Sequence, residues 1–91
     1  MRDEATRAID EFAQADSDVT RERHAYITEE GHAKNAGREA VYRYYMRRAS
    51  TCEGVGRALR NVIRELTQLR VALNAYEGAR DGQHPVEDER T

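Results

Sequence analysis

Seven arginines, Arg38, Arg43, Arg47, Arg48, Arg57, Arg60 and Arg64, lie close to Tyr42, Tyr44 and Tyr45 in the middle of the chain. A guanidinium grips a phosphate or carboxylate in bidentate fashion, and a tyrosine ring offers a face on which a base stacks. A helix starting within this stretch would add free backbone amides, which attract anions. Arg43, Arg47, Arg48, Arg57, Arg60, Arg64 and Tyr42 are therefore the candidate residues for binding a partner or a phosphate. A plainer reading stands beside it. The acidic residues of 1–30 can neutralise these arginines, and Tyr44 and Tyr45 can belong to the core.

Two further constellations carry less. Glu29 and His32 stand at i and i+3, the E-x-x-H spacing used by di-iron carboxylate bundles. Such a site needs two of these motifs and additional glutamates, whereas this chain has one, interrupted by Gly31. Cys52 is the single cysteine, and nothing in the spacing brings it to His24, His32 or His84. There is no glycine-rich phosphate loop, no G-x-S-x-G and no carboxylate pair on an apolar background. The expectation is a protein without metal, cofactor or catalytic activity.

The elements that must position these residues are helices. Val55, Leu59, Val62, Leu66, Leu69, Leu73 and Tyr76 recur at alternating spacings of four and three. Leu59, Leu66 and Leu73 take the a position of a heptad, with Val55, Val62, Leu69 and Tyr76 at d. Ile63 at e, with Ala58 and Ala72 at g, widens the stripe toward that of a bundle with more than one neighbour. These apolar residues, Val55, Leu59, Val62, Ile63, Leu66, Leu69, Leu73 and Tyr76, are the expected core and oligomerisation set.

Upstream, Ala5, Ala8, Ile9, Phe12, Ala15 and Val19 form a modest helical stripe. Asp16-Ser17-Asp18 is a first possible interruption, because these residue types favour caps. Gly31 to Gly37 reads as a kink in one long helix in preference to a break, at about 1 kcal/mol per glycine. Ser50-Thr51-Cys52-Glu53 matches a capping box and places the sharp turn between about 49 and 56. Asp3–Arg7 and Glu39–Arg43 are helix-stabilising i,i+4 pairs. The expected helices cover 3–30, 36–49 and 51–79 within one domain of residues 1–80, followed by a disordered acidic tail over 81–91.

Of the 91 residues, 38% are apolar and 35% charged, a surface-rich composition that leaves a thin core for one hairpin. Charge is segregated: residues 1–30 carry a balance of −5, residues 31–70 one of +6, and residues 71–91 one of −3. The opening MRDEATRAIDEF is acidic and lacks the apolar segment of a secretory signal. No apolar run approaches the roughly 18 residues that cross a bilayer. Together with one cysteine, this points to a cytoplasmic protein. The fold expected is all-α, an antiparallel helical hairpin with a bent N-terminal arm, assembling into an oligomeric bundle. The function expected is that of an adaptor, inhibitor or regulator that self-associates and binds an acidic protein partner. The alternative is a binder of nucleic acid or a small phosphorylated ligand through the same basic surface.

Overall fold

A computed structural model describes the backbone of residues 1–90 and the side chains through Arg80. Among the described residues there are two helices and no strand: α1 (Arg2–Asn35) and α2 (Glu39–Arg90). The fold is all-helical. The acidic tail expected over 81–91 lies outside the residues with described side chains. No helix among the described residues is long and apolar enough to cross a membrane.

The chain turns once, at 36–38, and the turn has a clear physical cause. The Arg38 amide donates to the Ala33 carbonyl at 2.9 Å and the Gly37 amide to the Lys34 carbonyl at 3.1 Å. That pair of bonds is a Schellman motif, which satisfies carbonyls left over at a helix end. It requires the left-handed backbone that Gly37 adopts, with φ at +70°. The Arg38 carbonyl then accepts from the Tyr42 amide at 2.9 Å and opens α2. The kink expected over 31–37 is thus a full break.

The turn expected between 49 and 56 does not exist. Ser50-Thr51-Cys52-Glu53 lies inside α2, and its would-be capping groups are engaged elsewhere. Thr51 Oγ1 donates back to the Arg47 carbonyl at 3.0 Å, and the Glu53 carboxylate takes Arg57 and Arg23. Such back-bonding keeps a hydroxyl residue within a helix. Asp16-Ser17-Asp18 does not interrupt α1 either. Asp16 is held by Arg60 across the helix pair, and Asp18 accepts from Gln14 and Arg21. The three helices expected over 3–30, 36–49 and 51–79 are therefore two, with 34 residues in α1 and 52 in α2. No bent arm is present, because α1 is one uninterrupted helix.

The two helices lie side by side in opposite directions. Arg2 reaches Asn74 at 3.3 Å and Glu77 at 3.7 Å, Asp16 meets Arg60 at 3.1 Å, and Tyr26 meets Arg48 at 3.1 Å. The face of α2 toward α1 follows the sequence Ala49, Cys52, Gly56, Leu59, Ile63, Leu66, Leu73, all buried or half-buried. Gly56 permits a close approach there: a Cβ on it would stand 3.1 Å from Arg60 Nη1 and 3.5 Å from Asp16 Oδ1. Among the described residues the buried apolar set is small, namely Ala5, Ala33, Ala49 and Cys52. Leu59, Leu66 and Leu73 thus pack inside the chain together with the e-position Ile63. Val55, Val62, Leu69 and Tyr76 do not, and remain 44, 40, 48 and 58% exposed.

Candidate interaction surfaces

The heptad positions divide the exposed part of α2 into two flanks. Residues at b and f, seven apart in each series, include Glu53 and Arg60 together with Arg43, Arg57 and Arg64. Residues at d and g include Val55, Val62, Leu69 and Tyr76 together with Ala58 and Ala72. Because a and e face α1, these two sets project to opposite sides of the helix pair. One flank is basic and the other apolar.

On the basic flank the arginines have different employment. Arg60 bridges to Asp16 of α1 and is a structural contact as well as a surface one. Arg43 pairs with Glu39 at 3.1 Å and Arg57 with Glu53 at 3.4 Å, both one turn along the same helix. Arg64 donates to the Asn61 side chain at 2.8 Å. Arg47 lines a shallow groove with Ala40, Arg43, Tyr44 and Arg48 on the outer side of α2. The acidic residues of 1–30 therefore neutralise part of this set: Asp16 takes Arg60, while Arg47 and Arg64 make no ion pair among the described residues. Asp3 and Arg7, expected to pair, form no ion pair among the described residues; in that first turn the Met1 amino group pairs with Glu4 at 3.1 Å.

Arg48 departs from this row and joins a tyrosine cluster near the turn. Its guanidinium carbon lies 5.3 Å from the Tyr26 ring centre and 5.9 Å from that of Tyr44. Arg48 Nη2 donates to the Tyr26 hydroxyl at 3.1 Å, and that hydroxyl donates to Glu22 at 2.9 Å. The Tyr26 hydrogen bond, followed by the fields of Tyr26 and Tyr44, raises the Arg48 pKa above its ordinary value. Arg48 stays cationic throughout the neutral range, as a cation–π partner must. Tyr45 completes the cluster, its ring 6.1 Å from Tyr26 and 5.2 Å from Tyr44 in an edge-on arrangement. Tyr44 is exposed and Tyr45 and Tyr42 are half-buried, so the cluster is a surface feature with one edge in the interface.

A concavity of about 570 Å³ opens beside this cluster, lined by Glu29, His32, Arg38, Val41, Tyr44 and Tyr45 among others. Glu29 and His32 do share a face, as their spacing requires. No group of three or more His, Cys, Asp or Glu side chains converges among the described residues. Cys52 is a free thiol buried in the middle of α2, not at a helix start.

The apolar flank extends onto α1. Val19 and Glu22 of α1 line one groove with Arg48, Thr51, Cys52 and Val55. At the far end Met1 lines another with Leu73, Tyr76, Glu77 and Arg80. Sequence periodicity marked the apolar residues but not this separation into faces. The signal that reveals it is the run Ala49, Cys52, Gly56, whose four-and-three spacing continues into Leu59, Ile63 and Leu66. The arrangement presents a charged face, an aromatic corner and an exposed apolar face. No family model, no curated protein and no solved structure matches this chain.

Proposed function

We propose that this chain is a non-enzymatic helical interaction protein, an adaptor, inhibitor or regulator, that self-associates and binds an acidic protein partner through the arginines and tyrosines of α2. The observation that carries the reading is the division of α2 into two exposed flanks of opposite character. An apolar stripe repeating every seven residues suits a helical neighbour. Arg43, Arg57 and Arg64, at one heptad position, line up over 21 residues, about 31 Å of helix. Arg47 and the tyrosine cluster lie at the turn end of this row. Guanidinium rows of this kind match carboxylates presented on a partner surface, and Tyr and Arg are the side chains that anchor interfaces. A reducing cytoplasm suits a chain whose single thiol lies buried between its helices.

The straightness of the same row favours a second reading, a phosphate-bearing ligand such as a nucleic-acid strand. One titration separates the two. The chain is titrated at low and high salt with an acidic polypeptide and with a single-stranded oligonucleotide, alongside an Arg47→Ala/Arg64→Ala variant. The proposal expects binding of the acidic polypeptide, weakened about tenfold in the variant, a loss of about 1.4 kcal/mol. Preferential oligonucleotide binding that falls steeply with salt would transfer the assignment to the second reading. Absence of binding to either at low salt overturns the arginine surface as a site.

A further inference from the structure

Tyr44 lines two recesses at the turn end of the helix pair. One is the concavity of about 570 Å³ that Glu29, Arg38, Val41 and Tyr45 also line. The other is the groove of about 440 Å³ formed with Arg43, Arg47 and Arg48. Ala40 and Tyr44 are common to both, so the two recesses adjoin. We propose that together they form a site for a nucleoside triphosphate, with its base against Tyr44 in the concavity and its phosphates among the three arginines. This goes beyond the proposed function, because it assigns a small molecule to the turn end and uses neither Arg57 nor Arg64.

The groove has the chemistry that a polyphosphate requires. Residues 40, 43, 44, 47 and 48 recur at spacings of three and four, so they share one face of α2 over about two turns, roughly 12 Å. Arg43 has a carboxylate partner, Glu39, at 3.1 Å. Arg47 and Arg48 form no ion pair among the described residues, and Arg48 is oriented by its 3.1 Å bond to the Tyr26 hydroxyl. A guanidinium carries five N–H donors, so Arg48 keeps others free after that bond. Bidentate pairing of guanidinium with phosphate is the interaction these side chains are built to make.

The concavity has the chemistry that a base requires. Tyr44 is 53% exposed, and its ring together with Tyr45 and Val41 gives the recess an aromatic and apolar wall. An exposed aromatic ring is a stacking platform for any base. The Arg48 guanidinium lies 5.9 Å from the centre of that ring, so a phosphate-gripping group adjoins the stacking surface. Glu29 accepts hydrogen bonds only, and it suits a ligand edge with an amino group, as cytosine and adenine have. Arg38 offers donors to a ring nitrogen in the same concavity. A carboxylate in one recess and three guanidiniums in the next are complementary to a molecule with a donor-bearing ring at one end and a polyanion at the other. Both volumes fall within the range of about 300–1,000 Å³ typical of small-molecule sites.

Calorimetric titration of the full chain at low salt, without divalent cations, tests the proposal with adenosine triphosphate, tripolyphosphate and adenosine. The nucleotide is expected to bind about tenfold more tightly than either half alone. Tyr44→Ala is expected to weaken the nucleotide about tenfold and leave tripolyphosphate unchanged, whereas Tyr44→Phe keeps the ring and binds as the wild type. Arg47→Ala is expected to weaken nucleotide and tripolyphosphate alike, and Arg64→Ala, outside the site, to weaken neither. Cytidine triphosphate is expected to bind more tightly than uridine triphosphate, which lacks the amino group, and Glu29→Gln to remove the difference. Absence of nucleotide binding overturns the site. Tripolyphosphate binding as tightly as the nucleotide, or equal losses in Arg64→Ala and Arg47→Ala, reduces the interaction to diffuse charge and overturns it too. Equal binding of the two pyrimidine nucleotides overturns the place given to the base. Should Tyr44→Ala lose its helical circular dichroism, the three probes on Arg47→Ala and Arg64→Ala decide.

Discussion

At Gly37 the backbone sits at φ +70°, where a side chain costs about 1–2 kcal/mol in an L-residue. Nothing lies within 4 Å of a Cβ built there, so Gly37→Ala reports backbone strain alone. It is expected to lower stability by about 1 kcal/mol, measured by urea denaturation, with Gly37→Asn falling between the two. Gly54 is the opposite case. It lies inside α2 with equally open space, so Gly54→Ala is expected to raise stability by about 0.5–1 kcal/mol in the same assay. Gly56 differs from both, because its missing Cβ makes room for the Asp16–Arg60 contact between the helices. Three glycines that look alike in sequence thus serve a turn, no visible packing need and a close approach. The backbone φ sets Gly37 apart, and the contact across the pair sets Gly56 apart.

At the scale of the helix, Leu66 is half-buried on the face of α2 that meets α1. Leu66→Ala is expected to cost about 2 kcal/mol, the low end for a core leucine, because one chain only partly encloses it. Chemical denaturation monitored by circular dichroism measures this. The helical class, and the inward leucines Leu59, Leu66 and Leu73, were legible in the spacing. Which neighbouring stripe accompanies them was not. Both a with d and a with e satisfy the four-and-three rule, and d holds the larger apolar residues, Val55, Val62 and Leu69. The chain uses e instead, where Ala49 and Gly56 let the backbones come close and Ile63 fills the gap. The cap signature at Ser50–Glu53 misled for a related reason. Capping is a local preference worth about 1 kcal/mol, whereas the seam of small residues runs unbroken through those positions. The same locality hid the true turn, because Gly31 and Gly37 look equivalent until one of them closes a Schellman motif.

For the whole molecule, the governing fact is that among the described residues only four small ones, Ala5, Ala33, Ala49 and Cys52, make up the buried apolar core. A pair of helices of this size gains little from such a core, and the apolar residues that could enlarge it stand on one exposed flank. Arg43, Arg57 and Arg64 occupy the other side of α2, so self-association through the apolar flank leaves this arginine row open to a partner. The run Ala49, Cys52, Gly56 signals which stripe turns inward, but which flank of α2 stays uncovered follows from the actual path of α1 across α2. The most direct test of the account is the concentration dependence of thermal unfolding between about 1 and 100 µM. If a second copy completes the core, mass action raises the midpoint by roughly 5–10 °C over that range. A midpoint that stays the same across the range would show that each chain folds and remains alone, contradicting the account.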